Sequence, residues 1–480
     1  MRNRLMEYSP ESIQRVHRAT IKILEGSGVS FPGGAALKLF QEHGFKVDGD
    51  KIFISEEQLM KHLATVPKTV NLVARNPEKN LILGGDYPIF IGTTGPPKLL
   101  MPNGQMQDGS LDDYEKFQKL SQTSKLPQGA SYKAIYPQDI PAQSAHLDML
   151  FRTLTMTDLF AGGDSQEEVN TRDTLNMMEI VFGGTDFFKK NTVVRVTISV
   201  LTPLRYAPEQ SASLVMLAEN NQLAVVSNMA MMGSTSPLDF YQSLALSNAE
   251  ILAGIVLSQL ARPGAPVVYG STSCPLEMKG MAATLGSPET LWFSHGAVSM
   301  ARHYGIPSRT GGGLNDSFLV DGQCLAEAAL VLNRAVSSGA DCVMHAFGMM
   351  GGYIGASLEK WVLDEEIAAF ILASLNQPPF DQDIDVEEII RLGPGANYMV
   401  QPSTMKNFRK LFRFNIFNKF PLDMWRKKGG QDILAAAQAE VARRLAVYEK
   451  PAIDPKMETA LAEYVDKRCQ QLLPGSGKAR

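Results

Sequence analysis

The sequence of 480 residues contains little cysteine, no long apolar run and no marked excess of one charge. Its cysteines, Cys274, Cys324, Cys342 and Cys469, show no CxxC spacing, which indicates reduced thiols rather than a disulfide framework. No stretch reaches the roughly 18 apolar residues that a membrane span needs, and the segment MRNRLMEYSP lacks the apolar core of a signal peptide. We therefore expect a soluble cytoplasmic protein.

Patterns that bind nucleotides or nucleic acids are also missing. A net charge of −4 gives no electrostatic reason to expect nucleic acid as a partner. The C-terminal GSGKAR is not a P-loop, because Leu472 stands where the first glycine is required. No glycine fingerprint follows an early strand, and this argues against an open doubly wound sheet, the alternative α/β fold.

The stretch 223–273 predicts one strand–helix–strand unit. Residues 223–233 form an apolar run that indicates a buried strand. A turn ends in the capping residue Asp239, and a helix with an apolar face follows as far as Arg262, before a Pro-Gly stop signal. The apolar segment 266–270 supplies a second strand. Such units have parallel strands and a right-handed crossover, and strands without alternation are covered on both faces.

The same alternation recurs from residue 129 onward. The strand-like segments are GASYKAI, LFAGG, TVVRVTISVL, LAVVSNMAMMG, PVVYGS, SRTGGGL and DCVMHAFGM. Most precede a helical pattern, and an eighth strand is expected near 359–363, before a helix that starts at Asp364. Eight such units close a (β/α)8 TIM barrel, whose reactive loops follow the strands.

Three parts of the chain are predicted. Residues 1–128 hold N-terminal helices and a small β appendage at 81–106, residues 129–378 form the barrel, and residues 379–480 form a C-terminal helical extension packed on the barrel. Within the extension, residues 404–428 interleave basic and aromatic side chains. This pattern predicts an amphipathic helix with an aromatic core stripe, and a basic docking face for a partner is the alternative.

The middle of the chain carries a family resemblance. Residues 233–271, GSTSPLDFYQSLALSNAEILAGIVLSQLARPGAPVVYGS, are similar to the hallmark block of the trimethylamine methyltransferase family. LGSPE at 285–289, GGGLNDS at 311–317 and WVLDEEIA at 361–368 follow in the expected order, and the resemblance runs from about residue 10 to 465. It implies a (β/α)8 barrel that moves a methyl group from an amine to the cobalt of a separate corrinoid protein.

One departure from the family pattern narrows the expected substrate. Members that act on trimethylamine carry pyrrolysine in the barrel, at a position that falls near Phe318, and this chain has only standard residues there. It therefore resembles the branch without pyrrolysine, whose members demethylate quaternary amines such as glycine betaine, proline betaine or carnitine. The resemblance implies that the corrinoid (cobalamin) belongs to a partner protein and that this chain binds no metal.

Candidate substrate-binding residues follow from that chemistry. A tetraalkyl ammonium has no N–H group, so aromatic faces hold it. Aromatic residues expected at strand ends or loops are Tyr136, Phe318, Phe347, Tyr353 and Trp361. For each of them core packing is the competing explanation.

Two residues are candidates for holding a betaine carboxylate. Arg309 lies in a strand of small residues, where a charge is costly unless it is paired. His345 lies in another strand, DCVMHAF, with a satisfied core histidine as the competing explanation. For Arg309 the competing explanation is an ion pair at the lower rim of the barrel. Asn315 and Asp316 follow the strand of Arg309 and are expected to order the pocket.

Two other functions stay open at this level. A zinc-dependent corrinoid methyltransferase would need ligands from Cys274, Cys342, His295 and His345, which show no helical ligand spacing. A non-catalytic betaine-binding protein would normally have two hinged lobes. The long helical additions predict a homo-oligomer.

Overall fold

The computed structural model describes residues 8–376, 378–380 and 386–473. The strands are β1 Val29–Ser30, β2 Lys46–Asp48, β3 Lys51–Phe53, β4 Val70–Leu72, β5 Leu81–Leu83, β6 Ile89–Phe90, β7 Lys98–Leu100, β8 Met106–Asp108, β9 Ala161–Gly162, β10 Val194–Ser199, β11 Leu223–Asn228, β12 Met231–Met232, β13 Val267–Ser271, β14 Cys274–Glu277, β15 Ala282–Ala283, β16 Ser308–Gly311, β17 Cys342–Met344, β18 Met349–Met350 and β19 Gly355–Ala356.

The helices are α1 Pro10–Gly26, α2 Gly34–Glu42, α3 Glu56–Leu63, α4 Leu111–Gln122, α5 Ala145–Met156, α6 Glu168–Val181, α7 Thr185–Lys190, α8 Pro208–Glu219, α9 Phe240–Ala261, α10 Pro288–Tyr304, α11 Gly322–Ser337, α12 Leu358–Leu375, α13 Glu387–Leu392, α14 Pro402–Asn407, α15 Leu422–Lys427, α16 Ile433–Ala446 and α17 Pro455–Leu472. Short 3-10 turns lie at Pro77–Lys79 and Phe408–Lys410.

A closed barrel lies at the centre of the molecule. Seven parallel strands run in the order β6, β17, β16, β13, β11, β10, β9. The segment 127–130 joins the two outer strands of this row. The N–H of Phe90 donates to the Pro127 carbonyl (3.0 Å), and the N–H of Ala130 donates to the Phe160 carbonyl (2.9 Å). This segment occupies the eighth strand position, so the predicted (β/α)8 barrel is confirmed.

Two of the predicted barrel strands are wrong in whole or in part, and one strand predicted for the β appendage belongs to the barrel wall. Residues 359–363 belong to α12, which begins after the capping Ser357. Of GASYKAI, only the first residues take part in the barrel wall, and the chain turns after them. The wall begins instead at β6, which the sequence assigned to the small β appendage. The sequence pattern of a two-residue strand is too short to show whether the strand belongs to a hairpin or to the barrel. Only its pairing with other strands in the structure shows this.

The long helix α9 is buried over most of its length. Asp239 caps it by accepting a hydrogen bond from the Gln242 N–H (2.9 Å), as predicted. Its inner side packs on the barrel strands and its outer side on α1, α2 and α3. Within the described chain it is the one helix long and apolar enough to cross a bilayer, but 94% of that window is buried. Its apolar character is that of a core helix.

Both ends of the barrel carry extra strands. The hairpin β4–β5 lies against the inner core at the N-terminal end, where Val70, Leu72 and Leu83 join the apolar residues of the strands. At the opposite end, two small sheets follow the carboxyl ends of barrel strands. One is β12–β14–β15 and the other is β18–β19–β7–β8. They form the walls of the mouth through which a ligand would enter.

The C-terminal extension packs back on the barrel helices through ion pairs. Arg444 of α16 pairs with Glu365 of α12, and Arg468 of α17 pairs with Asp173 of α6 (2.7 Å). The amphipathic helix predicted for 404–428 is wrong. That segment holds only α14, a 3-10 turn and α15, because Asn415, Asn418 and Pro421 interrupt the helical pattern between the last two.

Candidate active site

Arg309 is buried inside the barrel without an acidic partner. It lies in β16, beside Gly270 of β13 and Cys342 of β17, and is 3% exposed. One guanidinium nitrogen donates to the Ser227 hydroxyl (2.9 Å), while its Nε has no partner. Burial lowers the pKa of Arg309, and no described carboxylate offsets that effect. The predicted location on a barrel strand is confirmed, and the ion pair of the competing explanation is not found in the described part of the chain.

A second arginine lies in the same interior, and the sequence reasoning missed it. Arg195 of β10 is 4% exposed and donates to the Ala130 carbonyl (3.2 Å), while its Nε has no partner. A Cβ at Gly162 would lie only 3.3 Å from the guanidinium carbon, so a glycine there makes room for the side chain. The signal was the one used for Arg309: a lone charge within the apolar strand VRVTIS.

These two arginines are close enough to influence one another. Burial is the main cause that lowers the pKa of Arg195 to about 10, and the positive charge of Arg309 lowers it further. The Cys342 thiol lies near both, but burial raises its pKa to about 11, so it stays neutral and supplies no countercharge. Two buried cations without an anion are expensive to keep. The arrangement is therefore suited to receive a small anion.

His345 and Tyr353 lie above the arginines, on the mouth side of the barrel. His345 directly follows β17, and its ring meets the ring of Tyr353 edge-on at 5.0 Å. Burial, together with the charges of Arg309 and Arg195, lowers the pKa of His345 well below its usual value. The imidazole is therefore neutral at pH 7, and its Nδ1 has no partner. His345 also has a φ of +52°, a strained conformation that is common at functional sites.

Asn315 and Asp316 connect the loops of the mouth through hydrogen bonds, and their role in ordering a substrate pocket stays a prediction. The Asn315 amide donates to the Met349 carbonyl (2.7 Å), across to the loop after β17. The Asp316 carboxylate accepts from the backbone N–H groups of Leu285 and Gly286 (2.8 and 2.9 Å), in the loop after β13. Three neighbouring loops are thus held in one arrangement.

A buried ion pair supports the same loops from behind. Lys360 and Asp364 of α12 are fully buried and lie 2.5 Å apart. Lys360 also donates to the Gly313 carbonyl (2.8 Å), and Asp364 accepts from the Gly348 N–H (2.8 Å). The pair therefore links the glycine run after β16 to the loop after β17. The sequence analysis quoted WVLDEEIA without assigning a role to these charges.

The five aromatic candidates fall into different places. Tyr353 lies beside His345, within electrostatic reach of Arg309. Tyr136 is half-buried in the loop next to Pro96. Phe318 is 52% exposed on the rim and packs against Gly351. The structure brings only Tyr353 to the arginine pair.

Phe347 and Trp361 have a packing role in the structure. The ring of Phe347 contacts those of Phe90 (5.6 Å) and Trp361 (5.7 Å) in the layer between the sheet and the outer helices. The indole nitrogen of Trp361 donates to Glu365 (2.9 Å). Their place in a cation cage stays a prediction, and their position favours the core-packing explanation.

The four residues considered as zinc ligands are dispersed. Cys274 begins β14, Cys342 lies in β17 and His295 lies in α10, where it bonds to Ser338 (3.0 Å). Among the described residues, no group of three or more His, Cys, Asp and Glu side chains converges on one point. The geometry offers no zinc cluster in that part of the chain.

A (β/α)8 barrel that holds a pair of unneutralised arginines below the loops of its mouth has a site suited to a small anion. Comparison with known proteins identifies the family of this chain. The chain belongs to the trimethylamine methyltransferase family, whose model matches residues 2–473. The resemblance found in the sequence is therefore confirmed.

Several characterised relatives match nearly the whole chain. It is 34% identical over 464 residues to glycine betaine methyltransferase of Desulfitobacterium hafniense (strain Y51), with 96% of this chain and 97% of that protein covered. It is 29% identical to proline betaine:corrinoid methyltransferase of Eubacterium limosum, with 95% and 96% covered. It is 26% identical to L-carnitine:corrinoid methyltransferase of the same organism, with 94% and 95% covered.

Proposed function

We propose that this enzyme moves a methyl group from a quaternary amine that bears a carboxylate to the Co(I) of a corrinoid protein. Glycine betaine, proline betaine and carnitine are the substrate types considered. The observation that carries the proposal is the pair Arg195 and Arg309, buried in one barrel without an acidic neighbour among the described residues. A substrate carboxylate is the countercharge that this pair lacks.

The charges of the pocket also set the orientation of the substrate. Arg309 and Arg195 attract the carboxylate into the barrel and repel the quaternary nitrogen of the same molecule. The nitrogen then lies toward the mouth, next to the ring of Tyr353, where an aromatic face contributes about 0.5–2 kcal/mol. His345 is neutral, so it adds no positive charge beside the ammonium group. One N-methyl group is left facing out of the barrel.

The methyl transfer requires this chain mainly to bind the amine and to align its N-methyl group. When the corrinoid protein is docked, its Co(I) supplies the nucleophile, and the leaving group is a neutral tertiary amine that needs no proton. The loops tied by Asn315, Asp316 and the Lys360–Asp364 pair hold the pocket in one geometry. Alignment of this kind supplies several kcal/mol, about 7–11 in favourable cases.

The mouth offers a surface on which a corrinoid protein can dock. Large apolar side chains are exposed on the loops that follow β11, β13 and β16: Leu238, Met278, Met281 and Phe318. Exposed apolar groups on one rim are typical of a protein interface. The cytoplasm is the compartment that we propose, since the four cysteines are free thiols.

A methylation screen tests the proposal. Glycine betaine, proline betaine, carnitine, choline and trimethylamine would each be mixed with the enzyme and Co(I) cobalamin, and the Co(III)-methyl product followed by its absorption spectrum. We expect methylation with at least one carboxylate-bearing quaternary amine and none with trimethylamine. Robust trimethylamine turnover without activity on any betaine would overturn the proposal. Betaine binding without cobalt methylation, even with carrier proteins present, would identify a non-catalytic binding protein.

A further inference from the structure

Unused hydrogen-bond donors cluster around Arg195 and Arg309 in the barrel interior. The Nε–H group of each arginine is buried and has no partner. The Ser227 hydroxyl accepts a hydrogen bond from Arg309 (2.9 Å), and its own proton is donated to no acceptor in the described part of the chain. Guanidinium groups have five N–H donors and no acceptor. A group of donors that also carries two positive charges is matched to an anion.

Deprotonation does not remove the positive charge of this pair. Burial lowers the pKa of both side chains, but the value of about 10 for Arg195 is still far above neutral pH. Burial raises the pKa of the nearby Cys342 thiol to about 11, so the thiol stays protonated and uncharged. No carboxylate among the described residues pairs with either arginine. Because unpaired buried charges are costly, the empty enzyme gains stability from any small anion that reaches the pair.

Two glycines limit the size of the anion. Gly162 lies beside Arg195 on the neighbouring strand, and Gly270 lies beside Arg309. A Cβ at Gly162 would lie 3.2 Å from a guanidinium nitrogen of Arg195, and a Cβ at Gly270 would lie 3.1 Å from the Ser227 hydroxyl. Both distances are shorter than the about 3.5 Å of a relaxed contact. The donors are therefore accessible to a small ion or to a terminal carboxylate, and not to a bulky anion.

We propose that the arginine pair holds a small monovalent inorganic anion, of which chloride is the type, whenever no betaine is bound. This inference rests on the proposed function, because the ion and the substrate carboxylate occupy the same place. A singly charged ion is favoured over sulfate or phosphate, since the cost of taking an ion out of water rises steeply with its charge.

Exchange of the ion for a carboxylate makes betaine binding depend on the ionic medium. Each betaine molecule has to displace one ion, so the apparent Kd of the betaine rises in proportion to the chloride concentration. Screening by salt does not produce this dependence, because it acts weakly on buried charges and does not distinguish between anions of equal charge. Chloride therefore regulates the methyl transfer by competition at the substrate site.

Titration calorimetry of the best betaine at a series of chloride concentrations tests this inference. The ionic strength is kept constant with the sodium salt of a bulky sulfonate, whose anion is too large for the site. The apparent Kd of wild type should rise about tenfold when chloride is present at roughly ten times its own Kd.

Thermal melts without betaine measure the ion directly. Chloride should raise the melting temperature of wild type, because it binds the folded state alone. Arg195→Met should lose this stabilisation. Arg172→Met, which removes a charge from an exposed helix face, is the matched control and should keep it. The wild-type titration decides alone if Arg195→Met does not fold, since strict proportionality to chloride is the mark of competition for one site.

The outcomes separate the anion site from the proposed function. A betaine affinity and a wild-type melting temperature that are both independent of chloride would overturn the anion site and leave methyl transfer from betaines standing. An equal effect of chloride on wild type and Arg195→Met would also overturn it, because the ion would then bind elsewhere. Stabilisation by chloride that Arg195→Met loses, in an enzyme that neither binds nor demethylates any betaine, would support the anion site and overturn the proposed function.

Discussion

Arg195 and Arg309 enter the barrel from strands β10 and β16, and the charge of Arg309 lowers the pKa of Arg195. Like charges in a desolvated interior repel, so this pair destabilises the empty enzyme and favours any state with a bound anion. The same relationship makes the pocket selective, since a substrate without a carboxylate leaves both cations unneutralised. Replacement of either arginine should therefore favour the stability of the empty enzyme and reduce its preference for a substrate with a carboxylate.

Arg309→Ala should weaken the use of the best betaine while leaving the fold intact. Losing a charged hydrogen bond in a desolvated pocket typically costs about 1.5–3 kcal/mol, which is roughly ten- to a hundredfold in kcat/KM. His345→Ala should act in the same direction, and any turnover of choline should fall much less. Arg172→Ala on an exposed helix face is the control. Wild-type kinetics in both variants, or their unfolding, would favour a purely structural role.

Arg195→Met should raise the melting temperature of the free enzyme and lower its affinity for betaine. Replacing a buried unpaired charge by an apolar side chain of similar length is neutral to stabilising by about 1–4 kcal/mol. Calorimetry with and without glycine betaine measures both effects. The ligand should raise the melting temperature of wild type but not that of the variant. Lower stability together with unchanged betaine binding would contradict the assignment of Arg195.

Glycine betaine should protect the enzyme against heat even without a corrinoid protein, and choline should not. A ligand that binds only the folded state adds about 2.7 kcal/mol at a concentration of 100 times its Kd. In Arg309→Ala the protection by betaine should shrink toward that by choline. Equal protection by both amines in wild type would show that the carboxylate is not recognised.

Acid should weaken the attachment of α17 through Asp173. Burial alone would raise the pKa of Asp173, but hydrogen bonds from His146, Arg468 and Tyr464 outweigh it and lower the pKa to about 2. A lowered folded-state pKa stabilises the protein above the unfolded value near 4, and this contribution is lost as the pH falls toward 2.

Asp173→Asn should therefore cost about 1–3 kcal/mol at pH 7, and the cost should shrink in acid. Urea unfolding from pH 7 to pH 3 measures this dependence. Asp466→Asn, in the same helix as Arg468, is the control. A penalty for Asp173→Asn that is independent of pH would contradict the assignment.

Met278→Glu on the rim should affect the partner and not the amine. Met278 is 62% exposed in the loop region after β13, and a charge there should disturb an apolar contact with a docking protein. We expect at least a tenfold higher KM for the corrinoid protein and an unchanged rate with free cobalamin. A matched change in both reactions would place Met278 in the substrate pocket instead.

Much of the architecture follows from local patterns. Continuous apolar strands such as β11 and β13, joined by a capped helix, predict parallel units covered on both faces, and their repetition predicts a barrel. The two-residue strand β6 and the closing segment 127–130 were not predictable, because their place depends on partners distant in the chain. The segment 404–428 was wrongly predicted as one helix for a related reason, since helical spacing over a few residues does not show whether a helix continues.

Residue chemistry by itself determined that a lone arginine in a strand of small residues needs an anion. The family resemblance, together with the absence of pyrrolysine, implied quaternary amines as substrates. Only the tertiary structure decided that Arg195 shares the interior with Arg309, that Trp361 and Phe347 pack behind the barrel wall, and that Tyr353 reaches His345. Composition and spacing describe a side chain and its neighbours along the chain. Which side chains share a cavity depends on strand register and loop closure, and these are set by contacts between residues far apart in sequence.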